Sequence, residues 1–380
     1  MRILIAGGGI GGLSAAIGLG RLGHEVLVLE QASEPKPVGA GISLQPNAMQ
    51  ALATIRLDSE ISKRGCAASG GVLMHTNGGI IRRFDFSGHM QRHGFLPHTI
   101  HRAALFDVLA TAAAGAQVDL RYGQVVKSFV ESDGKVVVRT TAGDSIPADA
   151  LIGADGINSK IREQLWGKEN RRYSGYVCWR GVVSTAKKAG SLDTMTEIWG
   201  KGARFGFMPC SPTEVYWFAT KSLVDPTPNF EWRSFFRDWP EPVAELIEAT
   251  PSDSIAFNDI SDRVPRKKWG RGNVTLLGDA AHPMTPNFGQ GGAQAIEDAV
   301  VLSRAVEATA GVKNAFRRYE AKRIPRANPF VRASRQYGKF AQGSGVIRRF
   351  VRDVLLPMTP DFAMQRTLSQ QFDFRSHLDR

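Results

Sequence analysis

The stretch MRILIAGGGIGGLSAAIGLG, residues 1–20, sets a glycine-rich turn between a short apolar run and a helical pattern. Residues 3–6 predict a buried strand, and the apolar spacing of residues 13–22 predicts a helix that ends at Gly23. The segment EVLVLE, residues 25–30, predicts a second strand. Parallel strands joined by a helix form a βαβ crossover, so the chain is expected to begin with an α/β unit.

The glycines of this turn follow the spacing Gly7-x-Gly9-x-x-Gly12. In that spacing Gly7 permits the tight turn, Gly9 lets a pyrophosphate approach the backbone, and Gly12 allows close packing of helix on strand. The helix N-terminus offers free N–H groups and a positive dipole end to phosphates. An acid at the end of the second strand can accept hydrogen bonds from ribose hydroxyls. The predicted dinucleotide contacts are Gly7, Gly9, Ile10, Gly11, Gly12, Glu30 and Gln31.

A second glycine-rich turn lies near residue 290. The strand NVTLLG, residues 273–278, runs through Asp279 into a loop that precedes a predicted helix at 291–308. An acid at a strand end can hold a ribityl or ribose hydroxyl, and a helix N-terminus favours an anionic reduced ring. A nicotinamide enzyme has no need of this second loop, so the pair of loops favours FAD as cofactor. The predicted contacts are Asp279, Pro286, Gly289, Gln290, Gly291 and Gly292, whereas His282, beside Pro283, is expected to be structural.

A third motif lies in LIGADGINSKIR, residues 151–162, where Asp155-Gly156 forms a turn between a strand and a helix. Asp155 could anchor this turn and contact the dinucleotide. Arg102 opens another predicted helix, at 100–114, and could reach a phosphate or the flavin, with a surface ion pair as the alternative. Gly41 and Val126 complete the predicted cofactor contacts.

Short aromatic-rich strands run from Tyr173 to Lys221, and their spacing is typical of an antiparallel sheet. Arg204 lies in the strand RFGFMP, where an unpaired charge would be costly, so it is the best candidate to stabilise a substrate oxyanion or carbonyl. Tyr216 and Trp179 could flank a planar substrate ring, with Pro286 on the cofactor side. We predict Arg204 and Tyr216 as catalytic residues. The alternatives are core packing for Trp179 and an outward orientation for Arg204.

These segments predict an α/β fold with an α+β insertion. The expected parts are a Rossmann-like FAD-binding domain with a parallel sheet (residues 1–70, 98–172 and 268–340), an antiparallel-sheet substrate domain (71–97 and 173–267) and a C-terminal helical segment (341–380).

The charge of the chain is concentrated near its end. Of a net charge of +12, the segment from Gly311 to Arg352 carries nearly all, with Glu320 as its one acid. This pattern indicates either a solvated helical face or attraction to an anionic cofactor, substrate or membrane surface; the apolar VLLPM, residues 354–358, adds to the last possibility. No recognised nucleic-acid-binding motif accompanies the charge, so no nucleic acid partner is expected.

Cysteine usage and hydropathy point to a cytoplasmic protein. The chain has three cysteines, Cys66, Cys178 and Cys210, none in a C-x-x-C pair. A disulfide framework or a zinc site is therefore not expected, we predict no metal, and a reducing compartment fits. No stretch approaches 18 uninterrupted apolar residues, so no transmembrane helix is expected.

Taken together, the three motifs resemble those of the single-component FAD-dependent aromatic hydroxylases, the para-hydroxybenzoate hydroxylase-like class, over residues 1 to about 342. The resemblance implies a two-domain FAD fold, NADH or NADPH as a transient electron donor and O2 as co-substrate. It also implies roles for Glu30, Arg102 and Asp279 in FAD binding. No second G-x-G-x-x-G follows a strand, which agrees with a donor that docks transiently.

Within that class the chain is most similar to 2-alkyl-4-quinolone 3-hydroxylases and to FAD-dependent urate hydroxylases. The quinolone enzymes share patterns like Cys178-Trp179-Arg180, EIWGKGARFGF and GDAAHPMTPNFGQG. The urate enzymes use an arginine and a tyrosine that fall on Arg204 and Tyr216, but a substrate-binding asparagine where this chain has Cys178.

The expected function is hydroxylation of an aromatic or heteroaromatic small molecule with NAD(P)H and O2, through a flavin C4a-hydroperoxide. The alternatives are an FAD-dependent epoxidase or a tetracycline-type hydroxylase on the same fold, and a flavin-binding protein without turnover. Both a monomer and a homodimer are compatible with the sequence.

Overall fold

The structure is a computed structural model of the 380-residue chain, and it describes residues 1–35, 40–184, 194–226, 230–343, 345 and 358–379. The strands are β1 Arg2–Ala6, β2 Glu25–Leu29, β3 Gly41–Leu44, β4 Cys66–Ala67, β5 Gly70–His75, β6 Ile80–Asp85, β7 His98–His101, β8 Asp119–Arg121, β9 Val126–Ser132, β10 Lys135–Thr140, β11 Ser145–Ala148, β12 Ala150–Gly153, β13 Arg172–Ser184, β14 Thr194–Trp199, β15 Ala203–Ser211, β16 Glu214–Ser222, β17 Ala256–Asp262 and β18 Val274–Leu276.

The α-helices are α1 Ile10–Arg21, α2 Pro46–Thr54, α3 Asp58–Arg64, α4 Ser87–His93, α5 Arg102–Gly115, α6 Lys160–Trp166, α7 Trp232–Phe236, α8 Val243–Ala249, α9 Gln290–Glu307, α10 Val312–Ala341, α11 Asp361–Phe372 and α12 Arg375–Asp379. Short 3-10 turns lie at Ser252–Ser254, Gly278–Ala280 and Pro286–Phe288.

A parallel five-stranded sheet in the order β18-β12-β1-β2-β8 forms the first layer. The predicted βαβ unit is confirmed as β1, α1 and β2. Because the strands are parallel, their carboxyl ends meet at one edge of the sheet. The first glycine turn follows β1, Asp155 follows β12 and Asp279 follows β18, and these three strands are adjacent. The fold therefore brings three motifs that are far apart in the sequence to a single edge.

A seven-stranded sheet in the order β17-β13-β16-β15-β14-β5-β6 forms the second layer. The aromatic-rich strands β13 to β16 are antiparallel where they pair, as predicted. The sheet is not purely antiparallel, however, because β5 runs parallel to β14. The β5–β6 pair comes from a distant part of the chain, so no hairpin turn fixes its direction relative to β14.

The two faces of this sheet have different environments. Trp179, Phe205 and Trp217 lie in an apolar cluster that includes residues of α7 and α8. Tyr216, Met208 and Cys210 lie in a separate cluster with Ala40, which immediately precedes β3. Neighbouring residues of a strand point to opposite faces. The face carrying Tyr216 and Met208 is therefore turned toward the segment around β3, and we call it the inner face.

Helix α10 contains most of the basic residues of the segment from Gly311 to Arg352, and two of them, Arg323 and Arg326, are buried. Its Arg323 pairs with Asp298 and Glu297 of α9, and its Arg326 pairs with the same Glu297. Two more of its arginines also have carboxylate partners, Arg317 with Glu320 and Arg335 with Asp262. Much of the positive charge is thus neutralised inside the protein, and α10 is not simply a solvated basic face. Arg348, Arg349, Arg352 and residues 354–357 lie outside the described residues.

Across the described ranges, no helix is both long enough and apolar enough to cross a membrane.

Candidate active site

The first glycine turn is open on the side where a phosphate would approach. Gly7 has φ of 107°, a conformation that side chains rarely adopt. A Cβ at Gly9 would have no described atom within 4 Å, whereas a Cβ at Gly12 would overlap the Gly7 carbonyl oxygen. The first N–H groups of a helix have no partners within the helix, so those of α1 are available to an anion beside Gly9. The turn therefore has the shape that a dinucleotide pyrophosphate requires.

Two carboxylates lie at the ends of the strands next to this turn. Glu30 accepts hydrogen bonds from the backbone N–H of Gly8, at 2.7 Å, and of Ala32, at 2.8 Å. Asp155 Oδ2 accepts from the backbone N–H of Lys160 at 2.7 Å, which anchors the start of α6. The other oxygen of Asp155 is buried and has no hydrogen-bond partner among the described residues. An orphaned buried acceptor at this edge fits a site that is completed by a hydroxyl-bearing ligand.

Arg102, at the start of α5, and Asp279, after β18, lie close enough for their charges to interact. Both residues are solvent-exposed and yet closely surrounded by protein, which is the situation of groups inside a cleft. Burial raises the pKa of the Asp279 carboxyl, an effect that His282 and Arg102 partly offset. Burial lowers the pKa of Arg102, and the neighbouring cation Arg180 lowers it further. Two arginines and one carboxylate are thus grouped next to the predicted flavin loop, a set of charges that suits the polar part of a flavin nucleotide.

Hydrogen bonds of buried side chains hold the second glycine turn in place. Gly289 has φ of 62° and caps α9. The Gln290 side chain is buried and exchanges hydrogen bonds with Asn47, so only its backbone is left for a cofactor. Asp298 accepts hydrogen bonds from the Gly278 N–H at 2.9 Å and from His282 Nε2 at 2.6 Å. His282 is fully buried and is held by that hydrogen bond, which agrees with the predicted structural role.

The loop between these glycines also reaches the inner face of the large sheet through Asn287. Its amide oxygen accepts a hydrogen bond from Arg204 Nη2 at 2.6 Å. Its amide nitrogen donates to the Tyr176 hydroxyl at 3.0 Å, to Thr285 Oγ1 at 2.8 Å and to the Ser334 carbonyl at 2.8 Å. Asn287, which the sequence analysis did not single out, therefore connects the proposed flavin loop to the predicted catalytic arginine.

Arg204 is buried rather than turned outward, with a relative exposure of 3%. Its Nη1 is paired with Glu197 Oε1 at 3.1 Å, and its guanidinium lies 5.9 Å from the centre of the Tyr176 ring. Its Nε is buried and has no hydrogen-bond partner within the described ranges. The Glu197 side chain is 28% exposed and is thus the more accessible member of the pair.

Tyr216 packs against the backbone at the start of β3, since a Cβ at Gly41 would overlap its ring. Burial raises the pKa of Tyr216 to about 12, and Arg180 and Arg102 partly offset this effect. The phenol therefore stays protonated at neutral pH, where it can donate a hydrogen bond or stack but cannot act as a base.

The structure does not bring Trp179 together with these residues. Trp179 lies on the opposite face, where it stacks on Trp232 at a centroid distance of 5.2 Å and contacts Phe257. The hypothesis that it flanks a substrate ring beside Arg204 is therefore wrong, because successive residues of a strand point to opposite faces. Cys178 and Arg180, its neighbours in β13, occupy the inner face instead.

The remaining predicted contacts differ in accessibility. Pro286 and Gln31 are exposed, Gly291 and Gly292 are half-buried at the start of α9, and Val126 is buried in the core at the start of β9. Arg162, the last residue of the LIGADGINSKIR motif, connects two of these turns. It pairs with Glu169 and donates to the carbonyls of Ala280 and Ala281, thereby joining the Asp155 turn to the Asp279 turn.

This fold and this pair of glycine turns define a dinucleotide-binding flavoprotein. Residues 1–334 match the sequence model described as an FAD binding domain. The aurachin C monooxygenase/isomerase of Stigmatella aurantiaca is 40% identical over 94% of this chain and 94% of its own length. The 2-heptyl-3-hydroxy-4(1H)-quinolone synthase of Pseudomonas aeruginosa is 34% identical over 80% of each chain. The crystal structure of Klebsiella pneumoniae HpxO with FAD and uric acid superposes with a TM-score of 0.89 at 30% identity, covering 98% of this chain and 96% of that one.

The chain belongs to the family of FAD-dependent aromatic hydroxylases. Its cofactor is FAD, and it is an oxidoreductase of the monooxygenase type, for which NADH or NADPH is the usual electron donor.

Proposed function

We propose that this enzyme hydroxylates a nitrogen-containing heteroaromatic ring of the 4-quinolone class at the ring carbon adjacent to the carbonyl carbon. The observation that carries the proposal is the composition of the inner face. One buried arginine, Arg204, stands beside the apolar and aromatic cluster of Met208, Val182, Tyr216 and Phe218. A flat ring with one polar oxygen and an apolar substituent matches such a surface.

The cofactor and the chain have separate tasks in this proposal. FAD, when bound, takes two electrons from the nicotinamide donor and delivers one atom of O2 as an electrophile. The chain's residues position the ring and exclude water. We assign Arg204 to the substrate oxygen, Tyr216 and Pro286 to the ring, and the two glycine turns with Glu30, Asp155, Arg102 and Asp279 to the cofactor.

Position 178 favours a quinolone over a purine such as urate. Cys178 is 1% exposed and lies on the inner face, opposite Thr220 of β16. A thiol is a weak hydrogen-bond donor and acceptor, whereas an amide at the same place offers two strong donors and an acceptor. A site with a thiol here supplies fewer polar partners than a purine with several ring N–H and C=O groups requires.

Oxygen uptake and NAD(P)H oxidation by the purified holoenzyme test the proposal. The panel consists of 2-heptyl-4-quinolone, urate and a simple phenol, with product mass and hydrogen peroxide measured in parallel. We expect the quinolone to accelerate NAD(P)H oxidation and to gain one oxygen with little peroxide. Absence of acceleration by every ring compound would contradict the proposal, and addition of oxygen across an isolated alkene would favour the epoxidase alternative.

The proposed partners are this small molecule and O2, and we infer a cytoplasmic location from the cysteine usage. A weak contact of the basic segment with an anionic membrane surface stays a prediction. Four of the arginines of α10 already have internal carboxylate partners, which reduces the charge available for it. Co-sedimentation with anionic liposomes at low salt measures this contact directly.

A further inference from the structure

The pair formed by Glu197 and Arg204 contains two polar atoms that have no protein partner within the described residues. Arg204 Nε is buried without an acceptor, and Glu197 accepts at Oε1 only, from Arg204 Nη1 at 3.1 Å. A buried N–H without a partner costs about 1–3 kcal/mol, so such groups usually meet a ligand or water. The pair thus offers one free donor beside one free acceptor.

The register of the sheet places this pair on the inner face. Glu197 of β14 is opposite Gly206 of β15, and Arg204 lies two residues from that glycine on the same strand. Met208 and Tyr216, which are also opposite one another, follow the same alternation. The pair therefore shares a face with the residues that we assign to the substrate ring.

We propose that Glu197 accepts the proton of the 4-hydroxyl group of the substrate in its 4-hydroxyquinoline tautomer, while Arg204 stabilises the oxygen that is left negatively charged. This inference rests on the proposed function, because it assumes an oxygen substituent on the ring carbon adjacent to the one that is hydroxylated. One O–H bond of the substrate breaks, one O–H bond forms on Glu197, and no electrons leave the substrate in this step. The resulting anion is richer in electrons at the neighbouring ring carbon, which is the site of oxygenation.

The tyrosines around the pair do not compete for this proton. Burial raises the pKa of Tyr176 and of Tyr216, so both stay protonated at neutral pH. Tyr337 of α10, which faces both members of the pair, has its pKa raised by burial and by Glu197. Of the other charged groups on this face, Arg82 lies two strands away from Glu197 at about 10 Å and is bound to Asp361, and Arg180 lies three strands away at about 14 Å.

Asn287 makes the pair sensitive to the cofactor loop. It holds Arg204 Nη2, while Glu197 holds Nη1, so the guanidinium is fixed from two sides. Fixing these atoms leaves Nε–H and one hydrogen on each Nη as donors. Asn287 is accordingly a positioning residue in this scheme.

The test compares Glu197→Gln with the wild-type holoenzyme. The control variant is Glu214→Gln, which removes one carboxylate at the far end of the same sheet. With 2-heptyl-4-quinolone at pH 7 we expect kcat/KM of E197Q to fall about 100-fold, the usual order for loss of a general base. Its activity should recover as the pH is raised and the substrate ionises in solution. E214Q should keep the wild-type pH profile.

The absorption spectrum of the bound substrate provides a readout that needs no variant. The wild-type complex at pH 7 should show the anionic form of the quinolone, and the O-methylated analogue should bind without that change. A neutral spectrum in a complex that turns over, or an E197Q variant with wild-type kcat/KM and pH profile, overturns the inference. A wild-type enzyme that oxidises no ring compound contradicts the proposed function itself, so the two failures are distinguishable.

Discussion

Gly9→Ala and Gly12→Ala should separate cofactor binding from folding, although the two glycines are three residues apart. Gly9 is the N-cap of α1, with φ of −74° and ψ of −175°, a backbone conformation that alanine adopts readily. Apart from Gly9 itself and its two chain neighbours, no described atom lies within 4 Å of a Cβ built at this position. The added methyl group would therefore project into the space that we assign to the pyrophosphate.

The magnitudes follow from these surroundings. Alanine is a poorer N-cap than glycine by about 1 kcal/mol. It also restricts the unfolded chain, which stabilises the folded state by about 0.4–1 kcal/mol. Because the two effects oppose each other, the free energy of unfolding of the apoprotein should change by less than about 1 kcal/mol. Displacing a phosphate from one N–H group of α1 removes a charge-assisted hydrogen bond of about 1.5–3 kcal/mol, which weakens FAD binding about 10- to 100-fold. For Gly12→Ala the Cβ overlaps the Gly7 carbonyl oxygen, so the expected cost of about 1–3 kcal/mol falls on folding.

Two measurements on the apoproteins check this contrast. Thermal unfolding without FAD reports stability, and quenching of FAD fluorescence during titration reports affinity. Wild-type FAD affinity in Gly9→Ala, or wild-type stability in apo Gly12→Ala, would contradict these expectations.

Three further outcomes follow from the contacts. Asn287→Ala removes the acceptor of Arg204 Nη2, so the hydrogen peroxide formed per NAD(P)H oxidised should rise while FAD affinity stays within about threefold of the wild type; an unchanged peroxide yield would contradict this. Burial lowers the pKa of His89 to about 4, so its contribution to stability is complete above about pH 6.5 and is lost as the pH falls toward 4. His89→Phe should therefore raise Tm more at pH 5 than at pH 8, which differential scanning fluorimetry measures. Trp179→Phe should lower Tm without changing KM, and a raised KM would restore Trp179 to the substrate site.

The parts of the fold that depend on local signals were predictable from the sequence. The first turn combines an apolar strand, three spaced glycines and an amphipathic helix, and the structure has these elements within one to three residues of the predicted bounds. The position of Asp155 and Asp279 near that turn was also predictable, because each residue follows a strand of a parallel sheet.

The orientation of residues in the aromatic sheet was not predictable in the same way. The segment YVCWRGVV has large or apolar residues at both alternating positions, since both faces of the sheet are covered, so a period of two does not show which face is inward. Trp179 was assigned to the wrong face for this reason. The same covering of both faces explains why Arg204 is buried.

Residues whose partners lie far away in the sequence were missed. Asn287 and Arg204 are 83 positions apart, and the contact depends on how the cofactor loop docks on the sheet. The charge of α10 is a similar case, because Glu297 and Asp298 of α9 neutralise Arg323 and Arg326. A count of charges along the chain cannot show such pairing.

The most direct test of the account is a crystal structure of the protein with FAD bound. We expect the pyrophosphate at the N-terminus of α1 beside Gly9, and the flavin ring at the N-terminus of α9 between residues 286 and 292. A flavin ring bound elsewhere, or a protein that takes up no FAD, would contradict the claim that the two turns enclose one cofactor.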